Sequence, residues 1–175
     1  AQSIVLRHAR VEPLAIVGMA CRLPSGMESV GSLWEFLEAK GDAMREIPLA
    51  RMDWRALYDP EGGEMYVNRG AFMDEAQVTG FDAGRFKICR AEAKAMDPHQ
   101  RIALETVYEA LVQARGLETV HTGVFMGIAG DDLSSSSAKE KSTYSATGAA
   151  RSIASNRISY QLGLDGPSMS IDTAC

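Results

Sequence analysis

No run of apolar residues in this chain comes near the ~20 needed to cross a bilayer, and no cluster of Lys or Arg is dense enough to dock on a membrane surface. The net charge is −5, and the basic stripe that marks a nucleic-acid partner is missing. The expected partners therefore include no membrane and no nucleic acid. Cysteine is scarce: Cys21, Cys89 and Cys175 lie far apart and form no C-x-x-C pair. An odd, sparse set of this kind fits a reducing compartment, so a cytoplasmic location is expected. Residues 1–11 show no apolar core followed by a small-residue cleavage site and read as a short linker. No G-x-G and no Walker phosphate loop occurs, which removes the dinucleotide and P-loop fingerprints. H-E-x-x-H is absent too, and His8, His99 and His121 are too dispersed for a metal centre. Gly166-Pro167-Ser168-Met169-Ser170 lacks the second glycine of a serine-hydrolase elbow, so Ser168 is a weak nucleophile candidate.

What is there is the make-up of an ordinary globular domain, 175 residues with 46% hydrophobic and 23% charged. The length suits one domain with a sizeable core. Residues 14–19 (Leu-Ala-Ile-Val-Gly-Met) form a short apolar run that predicts a buried strand. Ser32 and Glu35 have the spacing of a capping box, so a short helix is predicted from Ser32, with Leu33, Trp34 and Leu37 on one face and a stop at Lys40-Gly41. Residues 42–90 show no sustained period and read as a long excursion pinned by Trp54, Tyr58, Phe72, Phe81 and Phe86. Asp97 as N-cap and Pro98 at the first helical position, with Gln100 completing a box-like pattern, predict a helix over 98–115. Leu104, Val107, Tyr108 and Leu111 make its apolar stripe. A second buried strand is predicted over 123–128 and an exposed serine-rich loop over 131–142. A helix over 146–162 should pack through Ala149, Ala150 and Ala154 and stop at Gly163, and alternation over 168–173 predicts a last strand. This order of elements is that of an α/β fold.

The chain then reaches Asp172-Thr173-Ala174-Cys175. Free cysteine is among the most buried residue types, so spacing alone favours a packing role. Position favours chemistry, because the end of a strand is where α/β folds expose reactive groups. A following helix N-terminus would contribute about 0.3–2 kcal/mol, and one pKa unit corresponds to about 1.4 kcal/mol. That moves a thiol by about one unit, and a base or cation must supply the rest. Asp172 reads as an orienting acceptor at the strand end, Cys21 and Cys89 as packing residues, and Met126, Met169 and the aromatics as core.

Several segments, taken together, resemble the ketosynthase (β-ketoacyl synthase) domains of type I polyketide synthases. Residues 12–24 (EPLAIVGMACRLP) are similar to the opening of that family and Leu33-Trp34-Glu35-Phe36-Leu37 to the helix after it. Phe81-Asp82-Ala83 and residues 95–101 (AMDPHQR) look like a distinctive family stretch. Tyr144-Ser145-Ala146-Thr147-Gly148, Asn156-Arg157-Ile158-Ser159-Tyr160 and Gly166-Pro167-Ser168 follow in the family's order, and Asp172-Thr173-Ala174-Cys175 resembles its active-site signature. Lys87-Ile88-Cys89 and His99 depart from the usual pattern without touching that signature.

The resemblance implies a thiolase-like αβαβα sandwich, of which residues 12–175 would be the N-terminal part, roughly the first half. It implies a homodimer, neighbouring megasynthase domains and an acyl carrier protein as partner. Cys175 would take the acyl chain from the carrier's phosphopantetheine thiol, and condensation with a malonyl-type extender would give a β-ketoacyl product. No organic cofactor or metal of the domain's own is implied. By position, Ala129, Gly130 and Tyr144 would line the acyl tunnel or the dimer contact. Three alternatives stay open: a fatty-acid synthase ketosynthase, a ketosynthase-like domain that passes acyl chains on without elongation, and a dimerising scaffold.

Overall fold

The computed structural model describes residues 13–114, 121–130 and 142–174. The predicted linker over 1–11, the predicted loop over 131–142 apart from Ser142, and Cys175 itself lie outside them.

Helix α1 spans Val30–Glu38. Its N-cap is Ser29, and Ser32 is the third helical residue: the two serines cap each other reciprocally, each side chain taking the other's backbone N–H. The predicted cap was therefore one turn late, because either serine satisfies the pattern. Trp34 and Leu37 of this helix are exposed, against expectation. The 42–90 excursion is built from short pieces. Strand β1 (Met44–Glu46) pairs antiparallel with β2 (Arg69–Ala71), and Trp54 pins the segment between them by donating to the Ile47 carbonyl at 2.9 Å. Helix α2 (Glu75–Thr79) and helix α3 (Arg90–Ala95) complete it.

Helix α4 (Pro98–Gln113) begins as its sequence dictates: the Asp97 side chain accepts the His99 N–H, and Pro98 fills the position whose N–H needs no partner. Leu104 is fully buried, and Val107 and Tyr108 pack on the same core. Strand β3 (Val124–Gly127) follows, then helix α5 (Ser145–Ala149), helix α6 (Arg151–Leu162) and strand β4 (Ser168–Ile171). The predicted single helix over 146–162 is thus two, broken at Ala150, whose backbone is extended (φ −72°, ψ 121°). The break has tertiary causes. Asp97 N–H donates to the Gly148 carbonyl at 2.9 Å, and the Gln100 amide donates to the Thr147 and Ala150 carbonyls at 3.0 and 3.2 Å. Gln100 is therefore spent on this junction and not on capping α4.

β3 and β4 run parallel, with Val124 beside Ser168 and Gly127 beside Ile171, so α5 and α6 form the crossover between them. Val124, Met126, Ser168 and Ser170 lie on the covered face, against α6. Phe125, Met169 and Ile171 lie on the other and are exposed, so the expectation that Met169 and every aromatic are core is corrected. The core gathers Phe86, Ile88, Met96, Leu104, Val124, Ile158 and Leu164, and each fully buried large side chain among them is worth about 1.5–3 kcal/mol. Residues 14–19 form no strand: Leu14 is 98% and Ile16 81% exposed, and the main chain reaches α4 through Met19 N–H, which donates to Gln113 Oε1 at 3.1 Å. An apolar run becomes a strand only where another strand offers its edge, and none of the described residues does so here.

Candidate functional site

Parallel strands deliver their carboxyl ends to one edge of the sheet, which is where α/β folds place reactive groups. Here the edge gathers two chain segments. After β3 the Ile128 N–H still donates to the Ile171 carbonyl at 3.0 Å, and Ala129 and Gly130 then leave the sheet, exposed, with Gly130 at φ +75°. After β4 come Asp172, Thr173 and Ala174, also exposed. The structure therefore brings Ala129 and Gly130 to the edge from which Asp172 to Ala174 also leave, with Cys175 the next residue in sequence.

Asp172 behaves as an orienting acceptor. Its Oδ1 takes the Ala174 N–H at 3.1 Å, and its Oδ2 takes a hydrogen bond from Nη1 of Arg151. Ala174 sits at φ +59°, in the left-handed region that costs a residue with a side chain roughly 1–2 kcal/mol. Backbone held in such a conformation tends to sit at functional turns. Arg151 is the residue that motif reading missed. It stands among small residues at the first position of α6, and only the register of α6 on β4 brings it to Asp172.

Tyr144 joins a different pair. It precedes α5 and its hydroxyl meets the Cys89 sulfur at 3.7 Å. Cys89 is exposed at the N-cap of α3 and is not the packing residue expected. The backbone N–H of Glu92 first, and the Tyr144 hydroxyl second, pull its thiol below the ordinary value, while the tyrosine is pushed up by the same contact. Cys21 is half-buried. Ser168 opens β4, at the end of the strand away from this edge, and its Oγ is buried without a hydrogen-bond partner. A cavity of about 270 Å³ bordered by Arg22, Arg85, Glu105 and Tyr108 lies against α4, and its charges pair internally, Arg22 with Glu109 and Arg85 with Asp82. Among the described residues no group of three or more His, Cys, Asp or Glu is placed to hold a metal ion, and no helix is long and apolar enough to cross a membrane.

A crossover α/β unit ending in this turn, with its preceding helices, matches the family model described as "Beta-ketoacyl synthase, N-terminal domain" over residues 11–175, and the chain belongs to that family. Its fold is the thiolase-like fold of polyketide-synthase ketosynthase domains. The oxazolomycin ketosynthase domain OzmH KS7 of Streptomyces albus JA3453 superposes with a TM-score of 0.77 at 32% identity, over 90% of this chain and 28% of that one. The ketosynthase from module 6 of the bacillaene synthase of Bacillus subtilis 168 gives 0.69 at 32% identity, over 92% and 26%. Among curated proteins, the chain is 48% identical over 174 residues to the highly reducing polyketide synthase acrA of Aspergillus aculeatus, covering 94% of the chain and 7% of that protein. It is 43% identical over 182 residues to erythronolide synthase EryA2 of Saccharopolyspora erythraea, covering 97% and 5%. The chain thus spans about a quarter of these solved ketosynthase chains and under a tenth of these multidomain relatives.

Proposed function

We propose that residues 12–175 are the N-terminal part of a polyketide-synthase ketosynthase, with 1–11 as a linker, and that Cys175 is its acyl-accepting nucleophile. The observation that carries this reading is the exit of Asp172-Thr173-Ala174 from β4 at the carboxyl edge of a parallel pair, with Ala174 in a left-handed turn, in a chain whose family is that of condensing enzymes.

The chemistry follows from the thiol. The Cys175 thiolate attacks the thioester carbonyl of an acyl group borne on the phosphopantetheine of an acyl carrier protein, and the carrier thiolate leaves. A malonyl-type extender on a carrier then loses CO₂, and the carbanion left behind attacks the Cys175 thioester. The tetrahedral intermediate expels the cysteine thiolate and leaves a β-ketoacyl chain on the carrier. A thiolate is both a strong nucleophile and a good leaving group, so one hard carbon–carbon bond formation becomes two easier steps. Backbone N–H groups around the cysteine, its own included, stabilise the oxyanion in each. The scheme asks for no organic cofactor or metal of the domain's own. Ala129, Gly130 and Tyr144 line the acyl tunnel or a dimer contact in this reading. The homodimer and the carrier protein are part of the proposal, as are neighbouring domains, which the size of the relatives supports. A cytoplasmic location is supported by the free thiols of Cys21 and Cys89.

The test uses an intact ketosynthase domain containing this chain, incubated with an acylated carrier protein and read by intact mass. The wild type gains the acyl mass, and Cys175→Ala does not. Persistent acylation of the variant removes Cys175 from the mechanism. Adding a malonyl-loaded carrier then yields a β-ketoacyl product from an elongating domain and none from a transferring one.

A further inference from the structure

Helix α6 and strand β4 are joined by two polar rungs. Ser170 Oγ donates to Ser155 Oγ at 3.0 Å and accepts the Ser155 N–H at 3.3 Å, and the second rung is Arg151 on Asp172. The spacing is what allows both. Residues 151 and 155 are one turn apart on a helix, a rise of about 6 Å, and Asp172 directly follows β4, two residues past Ser170, a span of about 6.6 Å in extended chain. Two elements running in opposite directions can therefore meet twice in register. The inner rung is buried at Ser155. The outer one is exposed, with the Arg151 and Asp172 side chains 44% and 41% accessible.

We infer that Arg151 is a positioning residue for acyl transfer at Cys175, acting through Asp172 on the turn that immediately precedes that residue in the sequence. This rests on the reading of Cys175 given above. An aspartate at an exposed strand end is free to rotate about two side-chain bonds, and its hold on the Ala174 N–H lapses whenever it does. Arg151 takes the second carboxylate oxygen and fixes both rotations. Its own main chain is fixed by the Ser155–Ser170 rung one turn away. The left-handed Ala174, which is unfavourable by itself, is then held by a carboxylate anchored to the helix. An exposed ion pair adds little to global stability, so removing it should leave the fold intact and loosen the turn.

The experiment measures acyl loading from a carrier protein onto the intact domain at varied carrier concentration. Arg151→Gln is expected to lower the saturating rate about fivefold, the factor that an exposed ion pair near 1 kcal/mol corresponds to. The half-saturating carrier concentration and the melting temperature should stay at wild-type values, and Arg151→Lys should recover at least half of the lost rate. Loading at the wild-type rate in Arg151→Gln overturns the inference. So does a loss that appears wholly as a raised half-saturating concentration, which would make Arg151 a carrier contact. Should Arg151→Gln fail to fold, Asp172→Asn, which keeps the shape and loses the charge, is read by the same criteria. No acyl adduct on wild-type Cys175 would defeat the reading of the site itself. A normal wild-type adduct with undiminished Arg151→Gln loading would defeat the role of Arg151 alone.

Discussion

Arg157 is the side chain on which three helices converge. Its Nε donates to Gln100 Oε1 at 2.8 Å and its Nη1 to Glu92 Oε1 at 2.5 Å, while Gln100 spends its amide N–H groups on the α5–α6 junction. The side chain is 6% exposed, so these partners replace water that it has lost. Arg157→Ala should therefore cost about 3 kcal/mol in urea unfolding of the intact domain, because it strands a glutamate and an amide oxygen. Surface pairs such as Arg45 with Asp74 should cost under about 1 kcal/mol when broken. Cys89 gives a residue-scale prediction of a different kind. Its thiol is pulled down by the Glu92 N–H and then the Tyr144 hydroxyl, so the thiolate forms at lower pH than in a free cysteine. Stability linked to this group is present above the unfolded pKa and is lost as pH falls through the lower folded one. Alkylation of Cys89 should accordingly show a pH midpoint below that of an unperturbed cysteine in the unfolded chain. Tyr144→Phe should move that midpoint upward, as mass spectrometry of the labelled peptide would show.

The α5–α6 break is decided between elements. Gly148 is buried, and a Cβ built there would stand 1.9 Å from the Ala95 carbonyl oxygen, a backbone atom that cannot turn aside. Gly163 ends α6 at φ +67° with open space around it. Gly148→Ala must push α5 off the end of α3 and should cost about 3 kcal/mol, whereas Gly163→Ala pays only for its left-handed backbone, about 1 kcal/mol. Urea unfolding that ranks the two equal would show that α5 can shift freely. These elements also mark how far the sequence could be read. The start of α4 at Asp97-Pro98, the stop at Gly163 and the strands at 124–127 and 168–171 were legible because a cap, a left-handed glycine, a short apolar run and a two-residue alternation are local chemistry. The break at Ala150 was not, since it is held by Gln100 from 47 and 50 positions away. The site divides the same way: Asp172-Thr173-Ala174 is recognisable as a string, while Arg151 is found only once α6 lies on β4.

At the scale of the whole molecule, the β3–β4 sheet has one covered face and one bare one. α6 covers Val124 and Met126, but Phe125, Met169 and Ile171 stand 62%, 46% and 46% exposed, and Leu14 and Ile16 add 98% and 81%. Parallel strands are ordinarily covered on both faces, and a chain that leaves apolar surface of this extent in water tends to associate through it. The solved ketosynthase chains are almost four times the length this chain accounts for, at 28% and 26% coverage. Produced alone, residues 1–175 should bind a dye that reports exposed apolar surface and should elute from size-exclusion chromatography as an associated species. Serine in place of Phe125 and Met169 together should reduce both signals. In an intact domain containing the chain, the same double substitution should instead lower stability by several kcal/mol, since large apolar side chains lost from a covered face cost about 2–5 kcal/mol each. An isolated chain that stays monomeric and dye-silent would mean that the outer face of β3 and β4 needs no cover, and that the packing of the complete domain lies elsewhere.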